Sequence, residues 1–420
     1  MKRILALFSL LAAGLAACDK DPVGPAPRRL TVGEEVQLNV QFDDNCGKAV
    51  LRTGRVVAVS QRAIVVDDTG NPAGGFTEAD YQALAEQYDR LVWPVATRNF
   101  GEPHDMDRNE RVIVFFTRAI NDLTAPGASS FVNGLFYSRD LFPRKQTKAL
   151  GACASSNESE LLYMLVPDPA RGGVFTKENV LRGTLGVMAH ETQHLISASR
   201  RLYKLSTPGD GWNEVVWLNE GLSHIAEELV FYEAGGLGPR RNLDRPTLQS
   251  SRTYADAFNA YMAQNTGRLQ SFYQDPERNS PYETDDDLAT RGAIWNFLRY
   301  AADRRAGDDR ALWHALVNSS QTGMANLRSA FGTDPVPLFR DWAVSLYLDD
   351  AVPGAEARFT QPSWNFRSIF LNGIPLRTRR LTEGATTAFS LDAGGAAYLR
   401  FGVGAGRAEL RATSGGAAPS

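Results

Sequence analysis

The sequence predicts an α+β fold, and three observations carry that expectation. Residues 30 to 70 alternate apolar and polar side chains at the two-residue period of strands. Short apolar runs at Arg111–Phe116 and Leu161–Val166 read as strands. From Thr176 to Leu348 the apolar period becomes that of helices. The expected architecture is an upper half with a mixed sheet and one long helix beneath it, a mostly helical lower half, and small β-rich regions on either side.

The chain opens with Lys2-Arg3, an apolar run from Ile4 to Ala17, and Leu15-Ala16-Ala17-Cys18. This pattern marks residues 1–17 as a secretory leader, too short to be a spanning helix. Leu-Ala-Ala-Cys also fits a lipobox, after which bacteria cleave and attach lipid to the cysteine, here Cys18; an ordinary leader with an incidental Cys18 is the plainer alternative. Residues 18–29, with the proline-containing stretch Asp19–Pro27, read as the tether of an anchored protein. The implied location is the bacterial cell envelope, with a membrane contact through the lipid.

Only Cys46 and Cys153 remain, in an oxidising compartment, so they form either one disulfide or a pair of buried thiols. Loss of the leader removes Lys2 and Arg3, so 45 basic residues become 43 against 48 acidic ones and the net charge moves from −3 to −5. That mild acidity argues against nucleic acid as a partner.

Residues 30–75 form the N-terminal β-rich region, with Val36, Leu38 and Val40 on one face, followed by Val56–Val59 and Ile64–Val66. The main domain spans 76–350. Thr77 with Asp80 starts a helix on which Tyr81, Leu84, Ala85, Tyr88, Leu91 and Val92 recur at helical spacing until Pro94. Next, Asp105, Asp107 and Asn109 stand at alternate positions of a tight loop, as oxygen ligands of Ca²⁺ do. The loop lacks the sixth-position glycine (Glu110) and the twelfth-position glutamate (Phe116), so an Asx-rich turn is an equal reading. Strands are expected at Arg111–Phe116, Gly134–Tyr137 and Leu161–Val166.

The long helix follows, with Thr176 as N-cap, Glu178 in the first turn and no proline in the run. It carries Met188-Ala189-His190-Glu191-Thr192-Gln193-His194-Leu195-Ile196. His194 sits only about 40° around the helix from His190 and ~6 Å further along it, so both imidazoles reach one ion, a spacing that suits Zn²⁺. Glu191 is rotated out of the ligand plane, where it can take a proton from a metal-bound water, and is the natural general base. A catalytic zinc usually has a third protein ligand. The three-histidine pattern would need glycine and histidine at Ser197 and Arg200. Instead Trp217–Leu229 reads as a second amphipathic helix, with Glu220 near its start and Gly235-Gly236 ending it.

Asn219-Glu220 followed by Ser223 matches the N-E-x-x-S pattern of the gluzincins, so the chain resembles this thermolysin-like superfamily of zinc metallopeptidases. With H-E-T-Q-H-L-I and W-L-N-E-G-L it looks most like the hyicolysin family of secreted bacterial metallopeptidases, from about residue 76 to 350. The resemblance implies a thermolysin-like domain with zinc on His190, His194 and Glu220 and with Glu191 as the base. It departs from the family at His224, where an aspartate usually orients a zinc histidine; Glu227 or another carboxylate would have to do so here.

Further helices are expected at Leu288–Ala302, Asp309–Asn318, Met324–Phe331 and Pro335–Leu348. Tyr282, Tyr300 and His314 are candidate hydrogen-bond donors to the transition state, placed where such families carry one, although each is more often a packed aromatic or a surface histidine. Residues 351–420 read as a C-terminal β-rich region, with alternation at Ala397–Phe401 and Ala408–Arg411. Walker and Rossmann glycine motifs are absent from the sequence. The expected function is a zinc-dependent peptidase, an endopeptidase acting on proteins or peptides. The alternatives are a noncatalytic envelope lipoprotein that uses the same fold to bind, which the intact Glu191 argues against, and a peptidase specialised for glycosylated proteins.

Overall fold

A computed structural model describes residues 29–413 apart from 44–45, 126, 129, 206–211, 405–406 and 408. The leader and Cys18 lie outside the described residues. A six-stranded sheet runs in the order β1-β2-β3-β4-β6-β5. Its members are β1 (Glu35–Asn39), β2 (Leu51–Val59), β3 (Ala63–Asp68), β4 (Val112–Phe116), β5 (Gly134–Phe136) and β6 (Leu161–Met164). β1, β2 and β3 pair antiparallel, β3–β4 and β4–β6 pair parallel, and β5 closes the far edge antiparallel to β6. The strands of residues 30–75 therefore share one sheet with those of the main domain.

β4 and β6 are buried along their whole length, which is why they read as unbroken apolar runs rather than as alternation. Their side chains go alternately to the two faces. Val114, Phe116, Leu162 and Met164 pack toward the helices, whereas Ile113, Phe115, Leu161 and Tyr163 face Val36, Leu38 and Val56.

The helices, in chain order, are α1 (Glu78–Gln87), α2 (Trp93–Phe100), α3 (Arg118–Asp122), α4 (Lys177–Ser199) and α5 (Val216–Gly235). Next come α6 (Arg245–Gln249), α7 (Arg252–Ala257), α8 (Ala263–Gln274), α9 (Leu288–Asp303), α10 (Arg310–Val317), α11 (Gly323–Phe331), α12 (Val336–Leu348) and α13 (Phe366–Ile369). Thr77 and Asp80 form the capping box of α1. The expected stop at Pro94 does not occur. A π-helical turn over Tyr88–Val92 takes up the lost hydrogen bond, and Pro94 sits in the first turn of α2, where a missing N–H costs nothing. α8, α9 and α12 make the helical half that packs against α5.

Among the described residues beyond 350, regular strand is confined to β7 (Arg379–Arg380) and β8 (Leu399–Arg400). In the alternation at 397–401 Tyr398 packs on the main core and donates to Ala343 O at 2.7 Å, whereas Phe401 remains exposed. Cys46 and Cys153 are disulfide-bonded, Cα to Cα 4.9 Å. Among the described residues no helix is long and apolar enough to cross a membrane.

Candidate metal centre

α4 is started by Thr176, whose hydroxyl accepts from Asn179 N–H, a cap that contributes about 1 kcal/mol. Met188, Ala189, Leu195 and Ile196 pin the helix into the main core, which fixes its rotation and turns His190, Glu191 and His194 toward one cleft. Two glycines let neighbouring elements close in. A Cβ on Gly134 would come within 2.5 Å of Val187 Cγ1, so β5 can lie directly on α4 only with glycine there. A Cβ on Gly221 would meet Ile294 Cγ1 at 2.7 Å, so the turn of α5 that bears Glu220 can press against α9.

These packings bring three donors together. His190 Nε2 lies 3.1 Å from His194 Nε2 and 3.4 Å from Glu220 Oε2, and His194 Nε2 lies 3.5 Å from Glu220 Oε1. Ligands about 2.0–2.1 Å from a tetrahedral Zn²⁺ stand roughly 3.3–3.4 Å from one another, so the donor set fits this ion. The electrostatics agree. His190 gives its Nδ1 hydrogen to the Glu227 carboxylate at 2.7 Å, which turns the Nε2 lone pair toward the lone pairs of His194 and Glu220. Three facing lone-pair sites in a buried pocket call for a cation. Without a metal that cation is a proton on His190 Nε2: burial alone would lower the pKa of His190, but its hydrogen bonds to Glu220 and Glu227 outweigh that and push it up to about 10. Glu220 is held well below the ordinary carboxylate range, against burial, by the two histidines.

Around this triangle sits a supporting layer that sequence reasoning anticipated only in part. Glu227 takes the orienting role: its Oε1 also accepts from His224 Nδ1 at 3.0 Å. Burial, with Arg268 nearby, lowers the pKa of His224 to about 3, so His224 is neutral. Arg291 Nη1 stands 2.9 Å from Glu220 Oε2, outside hydrogen-bond geometry but close enough for a strong ion pair, while its fork is held by both oxygens of Asp286 at 2.8 Å. Arg268 and Arg291 sit on α8 and α9, far along the chain from α4, and no local pattern in the sequence marks them.

Glu191 accepts the backbone N–H of Phe136 at 2.8 Å through Oε2. The edge strand β5 thereby fixes one carboxylate oxygen and leaves Oε1 to take a proton. The cleft has a volume of about 990 Å³ and is lined by Phe136, Tyr137, His190, Glu191, His194, Asn219, Glu220, Arg268 and Arg291. Tyr282, Tyr300 and His314 are not part of its lining. Tyr282 packs on Trp217 and Phe339, Tyr300 donates to Arg358 O at 2.6 Å, and His314 lies in the last turn of α10.

Asp105, Asp107 and Asn109 form a separate cluster on the loop before β4. Asn109 makes the bonds of an Asx turn. Its amide nitrogen donates to Asp107 Oδ2 at 2.8 Å and its oxygen accepts from Arg111 N–H at 2.6 Å, so it closes the loop.

The chain is similar to the neutral metalloprotease ShpI of Staphylococcus hyicus, 28% identical over 155 residues, which is 36% of this chain and 31% of that protein. No protein-family model matches. The chain thus matches less than a third of the length of this curated relative, and the likeness is to a metalloprotease at that coarse level.

Proposed function

We propose that this protein is a zinc-dependent peptidase, an endopeptidase that hydrolyses peptide bonds in proteins at the bacterial cell envelope. The observation that carries the reading is the triangle of His190 Nε2, His194 Nε2 and a Glu220 oxygen, 3.1–3.5 Å on a side, with Glu191 beside it in one cleft. Zn²⁺ bound by these three residues would supply Lewis acidity and lower the pKa of water. Glu191 then takes the proton of the attacking water on Oε1 and returns it to the departing amide nitrogen. Phe136 N–H keeps the carboxylate in place through both transfers. β5, the edge strand along the cleft, suits an extended peptide laid beside it. Arg268 and Arg291 line the same cleft and would donate to the tetrahedral oxyanion, a role for which the sequence had offered Tyr282, Tyr300 or His314.

On this reading residues 76–350 are the peptidase domain, sharing its sheet with residues 30–75, and the likeness to a metalloprotease supports it. Lipid on Cys18 would hold the enzyme at the envelope. The test is cleavage of a diverse peptide library by the purified full chain, with and without a zinc chelator. Chelator-sensitive cleavage restored by zinc is the expected result. A metal-loaded protein that binds peptides and cuts none would make it a binding module.

A further inference from the structure

We propose that Asp105, Asp107 and Glu160 form a second metal site, for Ca²⁺, which ties the loop before β4 to the start of β6. Each residue brings a carboxylate oxygen to within 4.8 Å of the others. Asp105 and Asp107 come from the loop, whereas Glu160 arrives from the residue just before β6, whose backbone oxygen accepts from Ile113 N–H at 2.7 Å. The acidic cluster is not a set of solvated surface groups: Glu160 is 3% and Asp107 5% exposed. Glu160 Oε1 accepts from Met106 N–H at 2.7 Å, but its Oε2 is buried with no hydrogen-bond partner, an arrangement that a cation would relieve.

Arg111, which follows the loop, donates Nε to Ser60 O and Nη1 to Asn109 O. The loop is wound for the purpose of holding its acids inward. Arg108 and Glu110 take left-handed φ of 57° and 59°, and Asp105 accepts the backbone N–H groups of Asn109 and Glu110 at 3.1 Å each. Burial and the neighbouring Asp107 push the Glu160 pKa up to about 8, so without a cation the cluster retains a proton where a metal would sit.

The donors are all oxygen, which excludes the nitrogen-and-sulfur preference of zinc. Oxygens across a Ca²⁺ ion stand up to about 4.6–5.2 Å apart, so oxygens all within 4.8 Å of one another fit inside that span, while Mg²⁺ keeps most of its waters and is seldom held by protein carboxylates alone. The site has a structural consequence for α4. Glu102 O, in the same loop, accepts from Arg200 Nη1 at 2.7 Å and Lys204 Nζ at 2.8 Å, and His104 stacks on Tyr203 at 4.2 Å. Calcium would therefore brace the C-terminal end of the helix that bears His190 and His194.

The experiment uses the full chain, stripped of metal and reloaded with one equivalent of zinc, and reads melting temperature and Tb³⁺ luminescence excited through the nearby tyrosine. Adding CaCl2 at about a hundred times its Kd should raise Tm by about 3–6 °C, and CaCl2 should displace bound Tb³⁺. Glu160→Gln keeps the acceptor for Met106 N–H and removes the charge; Asp105→Asn removes the rim charge and keeps one of the two acceptors for Asn109 and Glu110 N–H. Both should lose the calcium shift and the Tb³⁺ signal while holding their zinc. A flat Tm with no Tb³⁺ signal in the parent protein, an undiminished response in both variants, or an equal response to MgCl2 would each overturn the assignment.

Discussion

Glu227 Oε1 is shared by two imidazoles, accepting from His190 Nδ1 at 2.7 Å and from His224 Nδ1 at 3.0 Å. Glu227 is buried, yet its carboxyl is held below the ordinary range, because the hydrogen bonds it accepts from His190 and His224 outweigh burial. On the proposed reading the carboxylate thus fixes the tautomer of His190 that would present Nε2 to zinc. Glu227→Gln keeps one acceptor and removes the charge. Zinc affinity should fall about 10- to 100-fold, measured by competition with a chromophoric chelator. Unchanged affinity would relieve Glu227 of the orienting role.

Glu191 stands beside the triangle and not in it, so Glu191→Gln should leave zinc at one per chain. Turnover should drop by about 10²–10⁴-fold or more, since a general base supplies that much and the amide cannot take a proton. Phe136 N–H still finds an oxygen on the amide, so the helix should melt as before. Turnover near the parent rate in a zinc-replete variant would remove Glu191 from the chemistry.

How much of this was legible in the sequence follows from the range of each interaction. His190, Glu191 and His194 lie within five residues on one helix, and the 3.6-residue period alone brings them together. Buried strands and helices were readable for the same local reason: expected Leu288–Ala302 is observed as Leu288–Asp303, and expected Met324–Phe331 as Gly323–Phe331. Arg268, Arg291, Glu160 and the Phe136 N–H were not legible. They reach their partners through tertiary packing, where no spacing rule operates. Pro94 misled because a π turn can absorb a proline that an α-helix interior cannot.

Asp349 gives the fold a titration of its own. Burial raises its pKa, with Asp350 adding to the effect and the Gln361 N–H opposing it, from 3.8 to about 7. The folded chain therefore holds this proton more tightly than the unfolded chain. Between pH 3.8 and about 7 stability contributed here falls as pH rises, and above about 7 it is gone. Asp349→Asn, which preserves the acceptor for Gln361 N–H at 2.8 Å, should flatten the pH dependence of urea unfolding in that window. An unchanged slope would assign it to other groups.

If the Leu15-Ala16-Ala17-Cys18 pattern is a lipobox, Cys18→Ser should move the protein from the membrane fraction to the soluble fraction of cells. Its zinc content should not change, since Cys18 is far from the metal centre in sequence. Membrane partition equal to that of the parent would rule out lipid on this cysteine.

Glu220 decides whether the two histidines belong to a three-ligand site. Glu220→Ala leaves zinc with two neutral imidazoles and removes the only carboxylate of the triangle, so affinity should fall by orders of magnitude and activity with it. The control must be chosen from the structure, because most other acids nearby are structural. Glu214 is buried against Arg201 at 2.6 Å, and Glu228 against Arg299 and Trp364 Nε1 at 2.7 Å each, so alanine at either would strand a buried guanidinium and lower Tm. Glu233, on the same helix, forms only a half-exposed pair with Arg98 and is the proper control. Zinc per chain should collapse in Glu220→Ala and stay near one in Glu233→Ala, with both variants folded by circular dichroism; Arg291 keeps Asp286 when Glu220 is gone. Should Glu220→Ala retain its zinc, the replacement donor to test is His224, whose Nε2 has no hydrogen-bond partner and lies 3.9 Å from Glu220 Oε2. Loss of zinc from Glu220→Ala/His224→Gln but not from Glu220→Ala would then move the third ligand to His224 and set this centre apart from the gluzincin pattern.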